Sequence, residues 1–408
     1  MGIRANALYE KLPYALEMAE EILTSRFDDD KRLYEIIARM ESRLSMQQAS
    51  AGHQTASLRA MSYFSPFCAF NDTIGGIAFY NLIADLEKHF DEKKDALKAK
   101  LRELMGLLFR RENLFVSVTA DTEGLAALRA PLAAFVRSLP SAEAETEAAA
   151  DDEGNVADMA DGEAAVAGLA DGEADESAKS GANGTYDEAS GETRAVTNEK
   201  CAMTGKGLVL ALEKKNEGFT TPGQVQYVAR AGNFKKAGFT YTGALNVLKV
   251  LMSYEYLWVN IRVKGGAYGA MCGFYRRGDS YLASYRDPNL RGTNEVFEGI
   301  PAYLEKFDAD EHEMTKYIIG AISDMDTPLT PAMQGSRSLN AYFAKLTDEQ
   351  VQQERDEVLT VTPEKIRALA PLVQAVLDEN AICVVGNEQK IKEAGDLFYS
   401  VKPLSGAL

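Results

Sequence analysis

The sequence predicts an α+β protein with two structured blocks joined by a linker, and three observations carry this prediction. Residues 1–140 place apolar residues at helical spacing along most of their length. Residues 201–408 contain a strand–turn–strand pattern among several amphipathic stretches, which is typical of a sheet with helices on one face. Residues 141–200, between the two blocks, have the composition of a linker.

The linker, residues 141–200, is dominated by Ala, Gly, Glu and Asp. It carries 17 acidic and 3 basic residues, and the unit Ala-Asp-Gly-Glu-Ala occurs at 160–164 and again at 170–174. Such a segment buries too little apolar surface to offset the entropy of ordering it, so it is predicted to be disordered. We interpret it as a tolerated insertion between domains; the alternative is an acidic tether for a basic partner.

The charge outside the linker is nearly balanced, and this excludes one class of partner. The whole chain has a net charge of -17, but the residues outside the linker comprise 44 acidic and 41 basic side chains. No basic stripe with interleaved aromatic residues occurs, so nucleic-acid binding is not expected.

Composition also predicts the compartment. No apolar run reaches eighteen residues, and the N-terminus lacks the apolar core of a signal peptide, so neither a membrane span nor export is predicted. The cysteines are scattered without a CxxC pair, which favours free thiols in the cytoplasm. They are Cys68, Cys201, Cys272 and Cys383.

The first block, residues 1–140, is predicted to be mostly helical. A single strand is predicted over 113–119, and Asp121-Thr122-Glu123 is predicted to cap a last helix that ends near Leu139. One strand is too few for a closed sheet, so the block is interpreted as the rear part of an α+β domain whose leading strands are missing. The other predicted helices are Tyr9–Thr24, Asp30–Ser45, Ile74–Phe90 and Leu97–Phe109.

The second block, residues 201–408, contains both element types. A helix over 243–263 carries one apolar stripe, and Gly265 is predicted to terminate it. A hairpin turn is predicted at 276–279, and Thr362-Pro363 is predicted to open a helix. The stripe comprises Ala244, Val247, Leu248, Leu251, Tyr254, Trp258 and Ile261. Strands are predicted over 224–231, 267–275, 280–286 and 381–385, and further helices over 293–306 and 309–325.

The residues of this chain do not predict a metal site or a familiar catalytic motif. The three histidines, His53, His89 and His312, include no pair four residues apart, and capping or surface roles are expected for them. No GxSxG elbow, P-loop or dinucleotide-binding glycine pattern occurs. We therefore predict no metal ligands and no cofactor in this chain.

Arg262 and Tyr268 are the candidate functional residues. They lie six residues apart, between the long helix and the hairpin. An arginine and a tyrosine offer donors to a peptide carbonyl or a developing oxyanion, and Gly265 and Gly266 permit a tight turn and close approach of a substrate backbone. The alternative is a basic residue near a helix end and a half-buried strand tyrosine. The pattern alone favours this alternative.

The sequence around these residues resembles the presequence-protease subfamily of the insulinase-type zinc metallopeptidases. The resemblance is specific in the glycine–tyrosine region, and it covers most of the chain apart from the linker. In the second block it rests on Leu257-Trp258-Val259-Asn260-Ile261-Arg262-Val263-Lys264-Gly265-Gly266-Ala267-Tyr268-Gly269, Ser284-Tyr285-Arg286-Asp287-Pro288-Asn289 and Ile318-Ile319-Gly320-Ala321-Ile322-Ser323-Asp324-Met325-Asp326. In the first block it rests on Ser50-Ala51-Gly52-His53, Ala56-Ser57-Leu58-Arg59-Ala60 and Tyr63-Phe64-Ser65-Pro66.

The resemblance implies a fold and a set of roles. It implies two homologous α+β sandwich domains of the insulinase type, each an antiparallel sheet with helices on one face, the first incomplete. It implies that zinc lies on a missing N-terminal half, and that Arg262 and Tyr268 hold the substrate carbonyl. The stretch Gly265, Gly266, Ala267 and Gly269 would contact the substrate backbone. The expected partners are a zinc-bearing half or subunit and peptide substrates.

Two functional hypotheses follow from different classes. In the first, the chain is the substrate-holding half of a zinc oligopeptidase and has no activity alone. In the second, it is a non-catalytic interaction subunit that shapes a chamber. An upstream His-x-x-Glu-His motif in the same reading frame would favour the first hypothesis. Isolated expression beside genes unrelated to peptidases would favour the second.

Overall fold

The structure is a computed structural model that describes residues 2–25, 28–141, 210 and 212–404. All but the first residue of the predicted disordered linker lies outside these ranges. In the described residues, no helix is both long and apolar enough to cross a bilayer.

The first block is helical throughout its described residues. Its helices are α1 (Leu12–Thr24), α2 (Asp30–Ser50), α3 (Gly52–Ser62), α4 (Pro66–Gly75), α5 (Ile77–Lys88), α6 (Phe90–Leu108) and α7 (Thr122–Ser138), with 3-10 turns at Tyr9–Lys11 and Arg111–Asn113. Asp121 caps α7 as predicted, because its side chain accepts a hydrogen bond from the Gly124 amide.

The second block supplies every strand that the structure describes. They are β1 (Glu217–Thr221), β2 (Tyr227–Asn233), β3 (Gly269–Phe274), β4 (Asp279–Tyr285), β5 (Ala381–Asn387) and β6 (Ser400–Pro403). The helices are α8 (Ala244–Leu251), which continues as π-helical turns Met252–Tyr256 and Trp258–Lys264, then α9 (Arg291–Glu298), α10 (Ile300–Glu305), α11 (Glu311–Met325), α12 (Pro331–Ala344), α13 (Asp348–Leu359), α14 (Pro363–Arg367), α15 (Ala370–Asp378) and α16 (Glu388–Glu393). Two 3-10 turns, Phe234–Ala237 and Gly395–Leu397, complete the block.

The six strands form one sheet in the order β3-β4-β2-β5-β1-β6. The first four strands pair antiparallel, whereas β1 pairs parallel to both β5 and β6. The predicted α+β class is therefore confirmed, and the sheet is mixed rather than purely antiparallel. The parallel pairs involve β1 and β6, two short strands that the sequence pattern did not predict.

One face of the sheet carries the larger core, which the second block builds from its own helices. Val228, Leu282 and Val384 point from the strands into a cluster with residues of α8, α9, α10 and α15. Alternation along β2 places Val228 on this face and its neighbours on the other. The predicted layer of helices on one face of the sheet is thus present.

The opposite face is covered by helices of the first block, an arrangement that the sequence did not predict. Alanines line the sheet on this side, and Ala56 and Ala60 of α3, both 0% exposed, join the same cluster. Small side chains on both elements allow the helix to lie close to the strands. The sheet alanines are Ala229, Ala231, Ala283 and Ala381.

The strand predicted over 113–119 is a correction. A 3-10 turn occupies Arg111–Asn113, and the following residues are extended but pair with no strand within the described ranges. Instead the Phe115 ring lies 4.9 Å from that of Phe343 and 5.4 Å from that of Tyr342, both in α12. Alternating apolar residues fit this packing against a helix as well as a ladder, so the pattern alone could not distinguish them.

A network of buried charges joins the first block to the sheet. Arg59 of α3 donates to Glu217 of β1 and to Asp72 of α4, each at 2.6 Å. Lys402 of β6 lies 3.3 Å from the same glutamate, which is 1% exposed. Burial alone would raise the pKa of Glu217, but the hydrogen bond and charge of Arg59 outweigh it and the pKa is lowered. The pair is therefore ionised at neutral pH.

Close approach between β2 and α15 gives a first prediction. A Cβ added at Gly232 would lie 2.1 Å from the carbonyl oxygen of Val376. We expect Gly232→Ala to lower the free energy of unfolding by about 1–3 kcal/mol, because the two backbones must separate. Urea denaturation measures this change. Gly292→Ala is the control, since a Cβ there has no neighbour within 4 Å. Equal stability of the two variants would contradict the packing.

Candidate functional site

The site begins where the long helix of the second block ends. Residues 244–264 form one continuous helix, and its last part, Met252–Tyr256 and Trp258–Lys264, is π-helical. The predicted helix over 243–263 is confirmed to within one residue at each end. Insertion of an extra residue per turn rotates the side chains that follow it, and such bulges are frequent at functional sites. In this helix the π-turns set the direction in which Arg262 points.

A glycine turn links this helix to β3. The Gly266 amide donates to the Arg262 carbonyl at 2.9 Å, and the Ala267 amide donates to the Ile261 carbonyl at 3.1 Å. Gly266 has φ +80°, a left-handed conformation that glycine adopts without strain, so the helix ends here as predicted. Asn289 secures the turn from outside, since its Nδ2 donates to the Gly265 carbonyl at 2.6 Å.

The turn brings Arg262 and Tyr268 together. The guanidinium of Arg262 donates to the backbone carbonyl of Tyr268. Its carbon lies 4.2 Å from the Trp258 ring centre and 5.3 Å from the Tyr268 ring centre. The Tyr268 side chain is 62% exposed, so it is not the half-buried strand tyrosine of the alternative interpretation. One fixed cation and one exposed phenol thus face the same side of the molecule.

The four residues predicted to contact a substrate backbone lie in this turn and the start of β3. Gly266 is exposed, Gly265 and Gly269 are half-buried, and Ala267 is buried in the core beneath them. The exposed backbone is therefore that of Gly265, Gly266 and Gly269, whereas the Ala267 side chain anchors the turn.

Sequence reasoning missed three side chains that surround Tyr268. The Tyr285 ring meets the Tyr268 ring edge to face at 5.7 Å, and the His53 ring meets Tyr285 in the same way at 4.9 Å. The Arg286 guanidinium lies 5.5 Å from the Tyr285 ring centre. The signal for Tyr285 was available, because a hairpin turning at 276–279 places it opposite Gly269. No local pattern brings His53 here, since it comes from the other block.

A local irregularity in the hairpin aims these side chains. The Tyr268 amide donates to two carbonyls, that of Tyr285 at 3.0 Å and that of Arg286 at 3.3 Å. Arg286 has φ +49°, which is uncommon for a residue with a side chain. Two residues of one strand thus face one of the other, as in a β-bulge, and bulges redirect side chains beside binding sites.

His53 reaches the site because α3 begins with a glycine against the sheet. A Cβ at Gly52 would lie 2.3 Å from Cδ2 of Tyr227, so a larger residue would displace the helix. The His53 Nδ1 is buried without a hydrogen-bond partner in the described part of the chain. Burial lowers the pKa of His53, which is therefore neutral at pH 7.

The described residues do not fit a zinc site. They contain no group of three His, Cys, Asp or Glu side chains arranged to hold a metal ion. His53 lies among aromatic rings, His89 hydrogen-bonds Asp85, and His312 is exposed on α11. Hydrolytic chemistry that depends on zinc would need ligands from elsewhere.

The lowered pKa of His53 gives a pH prediction. The unfolded chain takes up this proton near the ordinary value of 6.5, before the folded chain does. The stability contributed by neutral His53 is complete above that value and is lost as the pH falls below it. We expect the melting temperature to fall less between about pH 7 and pH 5.5 in His53→Phe than in the unsubstituted chain.

Thermal melts across this pH range make the comparison, and His312→Phe is the control because His312 is exposed. An unchanged pH dependence in His53→Phe would show that His53 is as accessible to protons folded as unfolded.

Comparison with known proteins places the chain in a family. Residues 216–388 match the family model described as PreP C-terminal domain, and residues 1–86 match a second model, which describes a segment associated with peptidases of the same family. Protein HypA of Clostridium perfringens is 32% identical over 403 residues, which is 98% of this chain and 35% of that protein. Presequence protease 1, chloroplastic/mitochondrial, of Arabidopsis thaliana is 27% identical over 407 residues, which is 98% of this chain and 32% of that protein.

These relatives also bound what can be transferred. The chain spans about a third of the length of the curated relatives it matches. The names of several place them in mitochondria or chloroplasts, so the cytoplasmic location of this chain stays a prediction. The two family matches and the similarity along nearly the whole chain show that it belongs to the presequence-protease-like branch of the insulinase superfamily, whose C-terminal half it represents.

Proposed function

We propose that this chain is the substrate-holding C-terminal half of a zinc-dependent oligopeptidase. The observation that carries the proposal is the pairing of a fixed guanidinium, Arg262, with an exposed phenol, Tyr268, at the start of β3. Both groups are hydrogen-bond donors, and both face the same exposed surface. Donors held in advance stabilise negative charge on a carbonyl oxygen without reorganisation during the reaction.

The position of β3 suggests how a peptide would lie. β3 is at one end of the strand order, and β4 is its sole strand partner among the described residues. Its outer backbone groups are available for pairing, so an extended peptide would add as a further strand. Such a peptide would run past Tyr268 and Gly269, which places its carbonyl oxygens within reach of the arginine and the tyrosine.

The chain contributes binding and orientation in this proposal. Its described residues do not fit a metal ion, so the group that attacks the peptide bond must come from a zinc-bearing half or subunit. That half and the peptide are the two partners that we propose. Arg262 and Tyr268 would hold the carbonyl, and the π-turns and the glycine turn would keep them in position.

Peptide binding to the isolated chain tests the proposal. A fluorescent peptide of about ten residues, followed by anisotropy, should bind the unsubstituted chain. Arg262→Gln and Tyr268→Phe should each weaken binding by about threefold to tenfold, since each removes one hydrogen bond. Lys264→Gln is the matched control, because Lys264 is exposed and hydrogen-bonds Asn260 one turn away.

Two results would count against the proposal. Failure of every peptide to bind would favour the interaction-subunit hypothesis. Equal weakening by Lys264→Gln would indicate attraction by surface charge rather than a defined site.

A further inference from the structure

A second cation, Arg286, lies beside the proposed peptide site and is not needed to hold the backbone carbonyl. Its guanidinium is exposed, lies 5.5 Å from the Tyr285 ring centre and hydrogen-bonds the Tyr227 phenol. Tyr285 in turn packs on Tyr268. Arg286 and Arg262 therefore flank the same pair of tyrosines.

The backbone at Arg286 is strained. Its φ of +49° lies in the left-handed region, where a side chain other than glycine, asparagine or aspartate is uncommon. Such conformations persist where the surroundings enforce them, and they are concentrated at binding and catalytic sites. Here the two hydrogen bonds of the Tyr268 amide enforce it, because the bond to the Arg286 carbonyl would break if the backbone relaxed.

The charge of the two arginines is not compensated locally. Within the described ranges, no carboxylate oxygen lies within 4.0 Å of either guanidinium. The adjacent Asp287 is 0% exposed, and its carboxylate accepts hydrogen bonds from Thr293 and from the Asn289 amide. By contrast, the nearby Arg291 is paired with Asp396. The tyrosine surface is thus a positively charged one without an internal counter-ion.

We propose that Arg286 binds a carboxylate of the substrate peptide and so gives the site a preference for peptides that carry one nearby. This inference rests on the proposed function. A guanidinium presents a planar fork of donors that matches a carboxylate, and such hydrogen bonds are stronger than those between neutral groups. The carboxylate belongs to an acidic side chain or to the free C-terminus of the peptide, and the two sources are separable by experiment.

Three peptides of equal length test the inference by isothermal titration against the full chain. The first has a glutamate and a free C-terminus, the second has the glutamate and an amidated C-terminus, and the third replaces the glutamate with glutamine and keeps the free C-terminus. We expect the unsubstituted chain to bind the first about tenfold more tightly than whichever of the others lacks the recognised carboxylate. That second comparison identifies the source.

Arg286→Gln should reduce this preference to less than about twofold while leaving the weaker peptide's affinity nearly unchanged. Arg286→Gly is a second variant, because glycine adopts φ +49° freely and so removes the guanidinium without disturbing the bulge. Arg291→Gln is the matched control, since it removes an equal charge five residues away and should keep the preference.

Two outcomes overturn the inference. One is equal binding of all three peptides by the unsubstituted chain, with Arg262→Gln still weakening each of them; the peptide site would then stand without this preference. The other is a tenfold preference that survives in both Arg286 variants. Absence of binding by all three peptides would overturn the proposed function, and this inference with it.

Discussion

Replacing Tyr268 with phenylalanine is expected to lower kcat/KM of the complete peptidase by about a hundredfold, with little change in melting temperature. The substitution removes one hydroxyl, and loss of a donor aimed at a developing oxyanion costs roughly 3 kcal/mol of transition-state stabilisation. The Tyr268 side chain is 62% exposed, so the folded state loses little. Steady-state kinetics on a short peptide, with this chain joined to its zinc-bearing half, measures the effect.

Arg262→Lys is the companion variant and should also slow turnover. An ammonium reproduces the charge but not the planar fork that reaches both the Tyr268 carbonyl and a ligand. Lys264→Gln serves as the control for altered surface charge. Near-normal rates in both site variants would return these residues to ordinary helix-end and strand roles. A large drop in melting temperature for Tyr268→Phe would assign its hydroxyl a structural role instead.

Removing the charge of Arg59 is expected to have the largest effect on stability. Arg59→Met should lower the free energy of unfolding by about 3–5 kcal/mol, because Glu217 and Asp72 would remain buried without their cation. Urea denaturation of the full chain measures the change.

Arg32→Met is the matched control for this variant. The Arg32 side chain is 60% exposed and pairs with Glu35 on the same helix face, so its loss should cost less than about 1 kcal/mol. The double variant Arg59→Met/Glu217→Leu should recover part of the stability, since it removes one of the stranded charges. Equal losses for the Arg59 and Arg32 variants would mean that water reaches the network and screens it.

Elements with strong local signals could be predicted from the sequence. The Thr362-Pro363 start of α14 was predicted from one cap and one proline, and the Thr362 side chain does cap it. The hairpin followed from its turn, where Gly278 has φ +90°. Arg262 and Tyr268 were placed together because six residues containing a glycine pair leave few other arrangements.

Features that depend on partners distant in sequence could not be predicted. β1 and β6 are short, and pairing with each other defines them more than composition does. Residues 113–119 alternate like a strand, but α12 provides the surface on which they lie. His53 carries no local sign of its position, because the cover that α3 gives to the sheet results from alanines in both blocks. The division into domains at 140 and 200 remains a prediction.

The cover of the sheet by α3 has a consequence for how the polypeptide can be divided. Each block hides a face of the other, and a salt-linked interior holds them together. A cut between residues 141 and 210 would therefore leave two fragments that complement each other non-covalently, with a stability that depends on protein concentration. The chain is one cooperative unit written in two stretches, and two genes could encode it as well as one.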